Sequence, residues 1–383
     1  MRKRLYFILL LAGLFWLTPG LLADWSTAKR LTWTPGESHL PAIAIDSGNA
    51  IHVVWYDNTP NNYEIYYKHS TNGGTAWSVT KRLAWTSGLS SAPALAVDSG
   101  DVIHVVWQDN ISGNYEIYYK RSEDGGASWS ATKRLTWTPQ GSHLPVIAID
   151  SGDTIHVVWS DDTPGNADIY YKSSVDGGET WSASKRLTWT SGKSSSPAMA
   201  IGAGDDIHIV WDDDTPEYGD IYYKGSTDGG STWSATKRIT WTSDKTHSPA
   251  IAMDSSGTIH VIWEDSTPGN LEIYYKRSAD GGSTWSPLQR ITWTSGSSSW
   301  PAIAIDSNDT IHVVWYDDSL VNLDIYYKKC TDGGTTWGTS QRMTWTPGES
   351  HNPALAIDST NTIHVVWYDF TPFNYEIYYK NGN

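Results

Sequence analysis

The stretch IHVVWYD, Ile51 to Asp57, decides the fold of this chain because it does not stand alone. Near-copies begin at Ile51, Ile103, Ile155, Ile207, Ile259, Ile311 and Ile363, 52 residues apart each time and without one insertion or deletion. A fixed period of this length marks an array of one supersecondary unit, a solenoid or a propeller.

Around IHVVWYD, each unit carries three more segments of β character. In the first they are PAIAID (41–46), YEIYYKHS (63–70) and KRLAWT (81–86), separated by clusters of Gly, Pro, Asn and Asp. Four strands in each of seven units predict an all-β fold, a seven-bladed β-propeller of four-stranded antiparallel blades, since β-helix units are shorter. The ends predict how the ring closes. DWSTAKRLTW (24–33) matches the fourth-strand segment AWSVTKRLAW (76–85), whereas YEIYYKNGN stops just after a third strand. The N-terminal strand is therefore expected to complete the last blade.

Composition agrees with strands and tight turns: 23 Trp and 22 Tyr stand against 4 Phe and 4 Met, with 33 Gly. The tryptophans fall into three sets of seven, at the end of IHVVW, in the LTW-type segments (Trp33 to Trp345), and before the fourth strand if Trp25 is included. Burial of all three rings is expected to hold the fold together without disulfides. Cys330 is the one cysteine, standing where other units have serine, and reads as a small buried residue.

Residues 1–23 have a basic start (Arg2, Lys3, Arg4), an apolar run from Leu5 to Leu17, a Pro19-Gly20 break and a final Ala23. This is the layout of a secretory signal peptide, with a retained anchor as the alternative because Leu21 is bulky. The domain is then 24–383, secreted, periplasmic or at the cell surface. Without the leader, 24 Lys and Arg face 42 Asp and Glu, a formal charge of −18. Such a surface repels phosphate backbones and anionic lipid, so neither nucleic acid nor a membrane is an expected partner of the mature chain, which is read as a monomer.

STNGGTAW (70–77), SEDGGASW (122–129), SVDGGETW (174–181), STDGGSTW (226–233), SADGGSTW (278–285) and CTDGGTTW (330–337) join third strands to fourth strands. An acceptor at Asn72, Asp124, Asp176, Asp228, Asp280 or Asp332 can bond turn N–H groups, the glycines permit positive φ, and the Trp anchors the turn on its blade. At these residues the chain resembles the BNR or Asp-box repeat proteins, the sialidase-like propellers, over all seven units. The first copy departs from the pattern at Asn72 and Ala76. A sialidase within this family implies an arginine triad, a Tyr–Glu nucleophile pair, an Asp acid and an F/Y-R-I-P segment. That segment is absent, and the nine arginines after the leader lie at fourth-strand positions (Arg30, Arg82, Arg134, Arg186, Arg238, Arg290, Arg342) or after third strands (Arg121, Arg277).

The resemblance also implies that function sits on the face opposite the Asp boxes. Two sets of positions vary there. After the Trp of strand two come Tyr56, Gln108, Ser160, Asp212, Glu264, Tyr316 and Tyr368, each followed by a fixed Asp that reads as a turn cap. The inter-blade loops carry His39, His143, His247, His351 and Trp300, with Tyr218, Phe370 and Phe373 adding apolar surface on that face. These twelve loop and strand-end residues are the candidates for ligand contact, with free drift of surface positions as the alternative. The strand-two histidines (His52 and its six equivalents) are spread round a ring and do not converge on a metal. The acidic run 212–220 lacks the spacing of a calcium loop. No cofactor motif and no catalytic residue is assigned. The expected function is non-catalytic binding of a glycan or extracellular protein. The alternative is a sialidase-like glycoside hydrolase with a rearranged site, for which Asp212 and Glu264 are the carboxylate pair to consider.

Overall fold

A computed structural model describes residues 24–59, 61–215, 219–320, 322–371 and 373–383. The expected leader, residues 1–23, and Tyr218 lie outside the described residues. Twenty-eight strands, numbered in chain order, form seven sheets of four. Blade one runs outward from the axis as β2 (Ser38–Ile45), β3 (Ile51–Asp57), β4 (Glu64–Ser70) and β5 (Lys81–Arg82), each antiparallel to the next. Blades two to six repeat this order. Blade seven takes β26 (Ser350–Ile357), β27 (Ile363–Asp369) and β28 (Glu376–Gly382) from one end of the chain and β1 (Lys29–Arg30) from the other. Lys29 pairs with Tyr379 and Arg30 with Tyr378, which is the closure expected from the repeat.

The second strands are apolar on both faces because both faces are covered by neighbouring blades. Val54 points to blade two, packing with Leu95, Ile103, Val105 and Trp107, whereas Ile51, Val53 and Trp55 meet Val366, Ile377 and Tyr379 of blade seven. The core is thus seven layers between blades, not one centre. Trp55 and its equivalents are fully buried, and each lies near the Tyr opposite it on strand three, 6.1 Å between Trp55 and Tyr66 centroids.

One expectation fails here. The tryptophans of the LTW-type segments, Trp33, Trp85, Trp137, Trp189, Trp241, Trp293 and Trp345, are 67 to 73% exposed and add nothing to the core. The outer strand is only two residues long, and among the described residues no fifth strand covers the indole that follows it. Leu31 and Thr32, just before Trp33, are the buried residues of this segment.

The Asp boxes hold blade to blade as well as strand to strand. Asp124 Oδ1 accepts from Ser128 N (2.7 Å) and Ser122 Oγ (2.9 Å), and Oδ2 from Ser128 Oγ (2.6 Å). Gly126, at φ +85°, touches the ring of Tyr67 from the preceding blade so closely that a Cβ would run into it. The box tryptophan Trp129 meets the same Tyr67 edge-on at 5.1 Å. The Trp therefore fastens the turn to the preceding blade as well, in the apolar layer that it shares with its own. In the first box Asn72 Oδ1 takes the bond from Ala76 N (2.8 Å), so the departure at both positions keeps the turn. Cys330 replaces the serine functionally: Gly334 N donates to its Sγ at 3.0 Å.

The strand-two histidines are structural. His52 Nε2 lies 3.2 Å from Asp46 Oδ2, and its Nδ1 2.7 Å from Tyr67 Oη. Burial lowers the pKa of His52, so the neutral ring donates from Nε2 to the carboxylate and accepts from the phenol at Nδ1.

Candidate functional site

The first strand of every blade breaks its pairing at the same place. In blade one the register shifts between His39 and Ala42, leaving Leu40 and Pro41 as a bulge. The residue before a proline is disfavoured in the right-handed helical region. Here it is left-handed: Leu40, Ala92, Leu144, Ser196, Ser248, Trp300 and Asn352 have φ between +43° and +52°. A non-glycine residue in this region stores on the order of 1 kcal/mol or more, so strain is concentrated where the seven blades converge. These residues and the prolines after them line a single cavity of about 300 Å³ on the axis.

Of the twelve candidates, only Trp300 lines this cavity. The other eleven stand in the next shell outward. Sequence reading missed the pre-proline ring, although a signal was present: an unvarying Pro preceded by Leu, Ala, Leu, Ser, Ser, Trp or Asn.

Register joins the two variable sets into one. His39 lies opposite Tyr56, His143 opposite Ser160, His247 opposite Glu264 and His351 opposite Tyr368. Gln108, Asp212 and Tyr316 face Ser91, Ser195 and Ser299. The fixed aspartates next to them are caps: Asp57 Oδ1 accepts from Thr59 N (2.7 Å) and Oδ2 from Ser38 Oγ (2.6 Å).

The seven positions are not equivalent round the ring. Blades six, seven and one form an aromatic sector, in which His351 contacts Tyr316, Tyr368 and Tyr375, and His39 contacts Tyr56, Tyr63, Tyr368 and Tyr375. Burial pushes the phenols of Tyr56 and Tyr316 up to about 12 and lowers the pKa of His39 and His351. Phe370 extends this sector, 4.9 Å from Tyr375, and Phe373 is exposed beyond it.

Blades four to six form an acidic sector. Glu264 is buried, which pushes its carboxyl pKa up. Its oxygens accept from Trp300 N (2.8 Å) and Ser248 Oγ (3.1 Å). Gln108 makes the same link across blades, accepting from Leu144 N at 2.8 Å. Asp212, one methylene shorter, accepts from Ser195 Oγ at 2.7 Å through Oδ2, while its buried Oδ1 has no hydrogen-bond partner. His247 Nδ1 lies 3.8 Å from Asp212 Oδ2, and this nearby carboxylate raises the His247 pKa against the effect of burial. Gln108, Ser160 and His143 stand apart from both sectors. Ser160 Oγ donates to Ser194 O (3.0 Å), and His143 faces Asp162 and Tyr115.

Residues 16–261 match the model of the BNR repeat-like domain. The chain belongs to this family. Among solved structures, the BNR propeller is similar to an ulvan lyase of polysaccharide lyase family PL25 (13% identity, 92% of this chain and 95% of that chain, TM-score 0.66). It is also similar to the NanB sialidase from Streptococcus pneumoniae (14%, 92% and 70%, 0.51) and to the GH93 α-L-arabinofuranosidase of Fusarium graminearum (15%, 73% and 88%, 0.55). At these identities the likeness is one of fold. A search of curated proteins finds no match.

No arginine is among the described residues that line the axial cavity. Each fourth-strand Arg pairs with a buried carboxylate on strand three of its own blade, as Arg82 with Glu64 at 2.6 Å. Arg121 and Arg277 donate to the Gly177 and Gly333 carbonyls of the next Asp box. No Lys is among the described residues lining the axial cavity either. The mouth therefore offers an indole, neutral and acidic acceptors and stacked phenols, a set suited to hydroxyl groups and apolar ring faces rather than to carboxylates.

Proposed function

We propose that the protein is an exported saccharide-binding propeller that takes an uncharged sugar at the axial mouth, opposite the Asp boxes, and leaves it unchanged. The observation that carries this reading is the buried Asp212 Oδ1, which has no hydrogen-bond partner, on the same face of the ring as the half-exposed Trp300 of the axial cavity. A buried acceptor without a donor is costly, and a sugar hydroxyl satisfies it while the ring face packs on the indole. The strained pre-proline ring supports the same reading, because such backbone persists where surrounding structure holds it for a purpose.

Calorimetric titration of the full chain with neutral oligosaccharides tests it. Binding weakened roughly tenfold or more by Trp300→Ala and by Asp212→Asn, with the thermal midpoint unchanged, is the expected result. Binding indifferent to both substitutions excludes the mouth.

The raised pKa of Glu264, on the blade next to that of Asp212, favours a second reading, a glycoside hydrolase in which Glu264 is the acid. Turnover of a fluorogenic glycoside that Glu264→Gln abolishes establishes that reading instead.

A further inference from the structure

The seven tryptophans of the LTW-type segments stand exposed in clefts between blades, on the circumference of the ring. In the cleft at Trp33, Lys29 and Arg30 of β1 face Lys68 and Trp77 of blade one around a volume of about 440 Å³. The Arg30 guanidinium is 5.7 Å and the Lys68 Nζ 5.6 Å from the indole centroid. Lys133, Arg134, Lys172 and Trp181 repeat the arrangement at Trp137, around about 360 Å³. A cation stands over each of the other five indoles as well. The seventh cleft crosses the chain ends, with Lys380 5.3 Å from Trp345.

Charge is distributed unevenly in the same way. Of the 24 Lys and Arg after residue 23, 19 stand at three repeated positions on the strands that wall these clefts: seven outer-strand arginines, the five lysines that precede them, and the seven lysines that follow the Tyr pair of the third strands. A chain with 18 more carboxylates than cations has thus gathered most of its cations into one belt and left an indole open beside each group. The cations hold the indole from one side, so more than half of each ring stays in water. An exposed Trp of this kind is an apolar patch in an ordered frame, and seven copies at equal spacing form a repeated surface.

We propose that this belt is a second, multivalent binding site for an acidic polysaccharide. Each indole takes the C–H face of one sugar ring, and the outer-strand lysine of the cleft takes its carboxylate or sulfate, while the arginine, already paired with the strand-three carboxylate, and the largely buried third-strand lysine hold the indole in place. One polymer chain engages several clefts, so weak single contacts add through high effective concentration. A nucleic acid has the same sign of charge and is therefore included as a competitor in the test. The belt and the axial mouth differ in ligand chemistry and share no residue, so either can fail without the other.

Electrophoresis of the full chain through gels containing polygalacturonate, heparin or dextran tests the proposal. Retardation by at least one acidic polymer, relieved by salt and absent in dextran, is expected. The triple variant Trp85→Ala, Trp189→Ala, Trp293→Ala should lose roughly tenfold or more of the apparent affinity. Should that variant not fold, replacing the five outer-strand lysines by glutamine serves instead, since Gln289 and Gln341 already occupy the equivalent places in two blades. That variant should lose the salt-sensitive retardation. Equal retardation in dextran, no retardation in either acidic gel, unchanged mobility of the variants, or tighter capture of single-stranded DNA than of either polymer overturns the proposal.

Discussion

His247 Nδ1 lies 3.8 Å from Asp212 Oδ2 across the boundary between blades four and five, while the His247 backbone stands opposite Glu264 within its own blade. One imidazole thus reads two carboxylates, and its pKa is raised with the Asp212 carboxylate as the main cause. A raised folded pKa stabilises the protein fully below the unfolded value near 6.5 and loses that contribution as pH rises through the folded value. Asp212→Asn should therefore move the His247 titration, followed by NMR, to lower pH. An unmoved titration means that the contact does not exist in solution.

The seven strand-two histidines act in the opposite direction. All have lowered folded pKa values, with burial as the largest cause. Below about pH 6.5 the unfolded chain takes up protons that the folded chain refuses, so stability falls as pH drops through that value and towards the folded pKa values. The thermal midpoint should decline steeply between about pH 7 and pH 5, with seven groups contributing together. A flat profile over that range contradicts the neutral histidine relays.

Gly126 has both a left-handed backbone and the Tyr67 ring against its α-carbon. Gly126→Ala should cost about 2–4 kcal/mol in urea unfolding, combining backbone strain with overpacking. Gly125, also left-handed but open to solvent, should cost less, about 1 kcal/mol, when changed to Ala. Equal costs would remove the Tyr67 contact from the explanation.

Trp55 and Trp33 look alike in the repeat and differ in place. Trp55 is fully buried between blades, and Trp33 is 68% exposed. Trp55→Ala should destabilise by about 3–5 kcal/mol, whereas Trp33→Ala should stay within about 0.5 kcal/mol of the parent. Chemical denaturation of the two variants separates core from belt.

Leu31 carries the closure. It is buried against Ile51, Val53, Tyr379 and their neighbours, where the N-terminal strand meets blades one and seven. Leu31→Ala should cost about 2–5 kcal/mol, as much as a leucine deep in an ordinary core, although it sits seven residues after the first described one. A negligible cost would mean that the ring holds without its closing strand.

Most of the architecture was legible in the chain. The 52-residue spacing of IHVVW set the number of blades, and the unmatched ends, DWSTAKRLTW and YEIYYKNGN, set the closure. Both are properties of order along the chain, and repetition makes each unit fold in the same local way. The fixed Asp after each strand-two Trp could likewise be read as a cap, because its partners lie in the adjoining turns and at the start of the facing strand.

What the repeat could not reveal lies between blades. Trp33 and Trp55 carry the same residue type, yet only the packing of one blade on the next decides which indole is covered. The left-handed pre-proline ring arises because seven bulged strands converge on one axis, a geometry that no single unit contains. The division of the mouth into aromatic and acidic sectors depends on which blades stand side by side, as Asp212 stands beside His247 across 35 residues of sequence. Local pattern determines a strand and its turns; contacts across blade boundaries determine burial, strain and the grouping of charges, and these are the features on which the proposed binding rests.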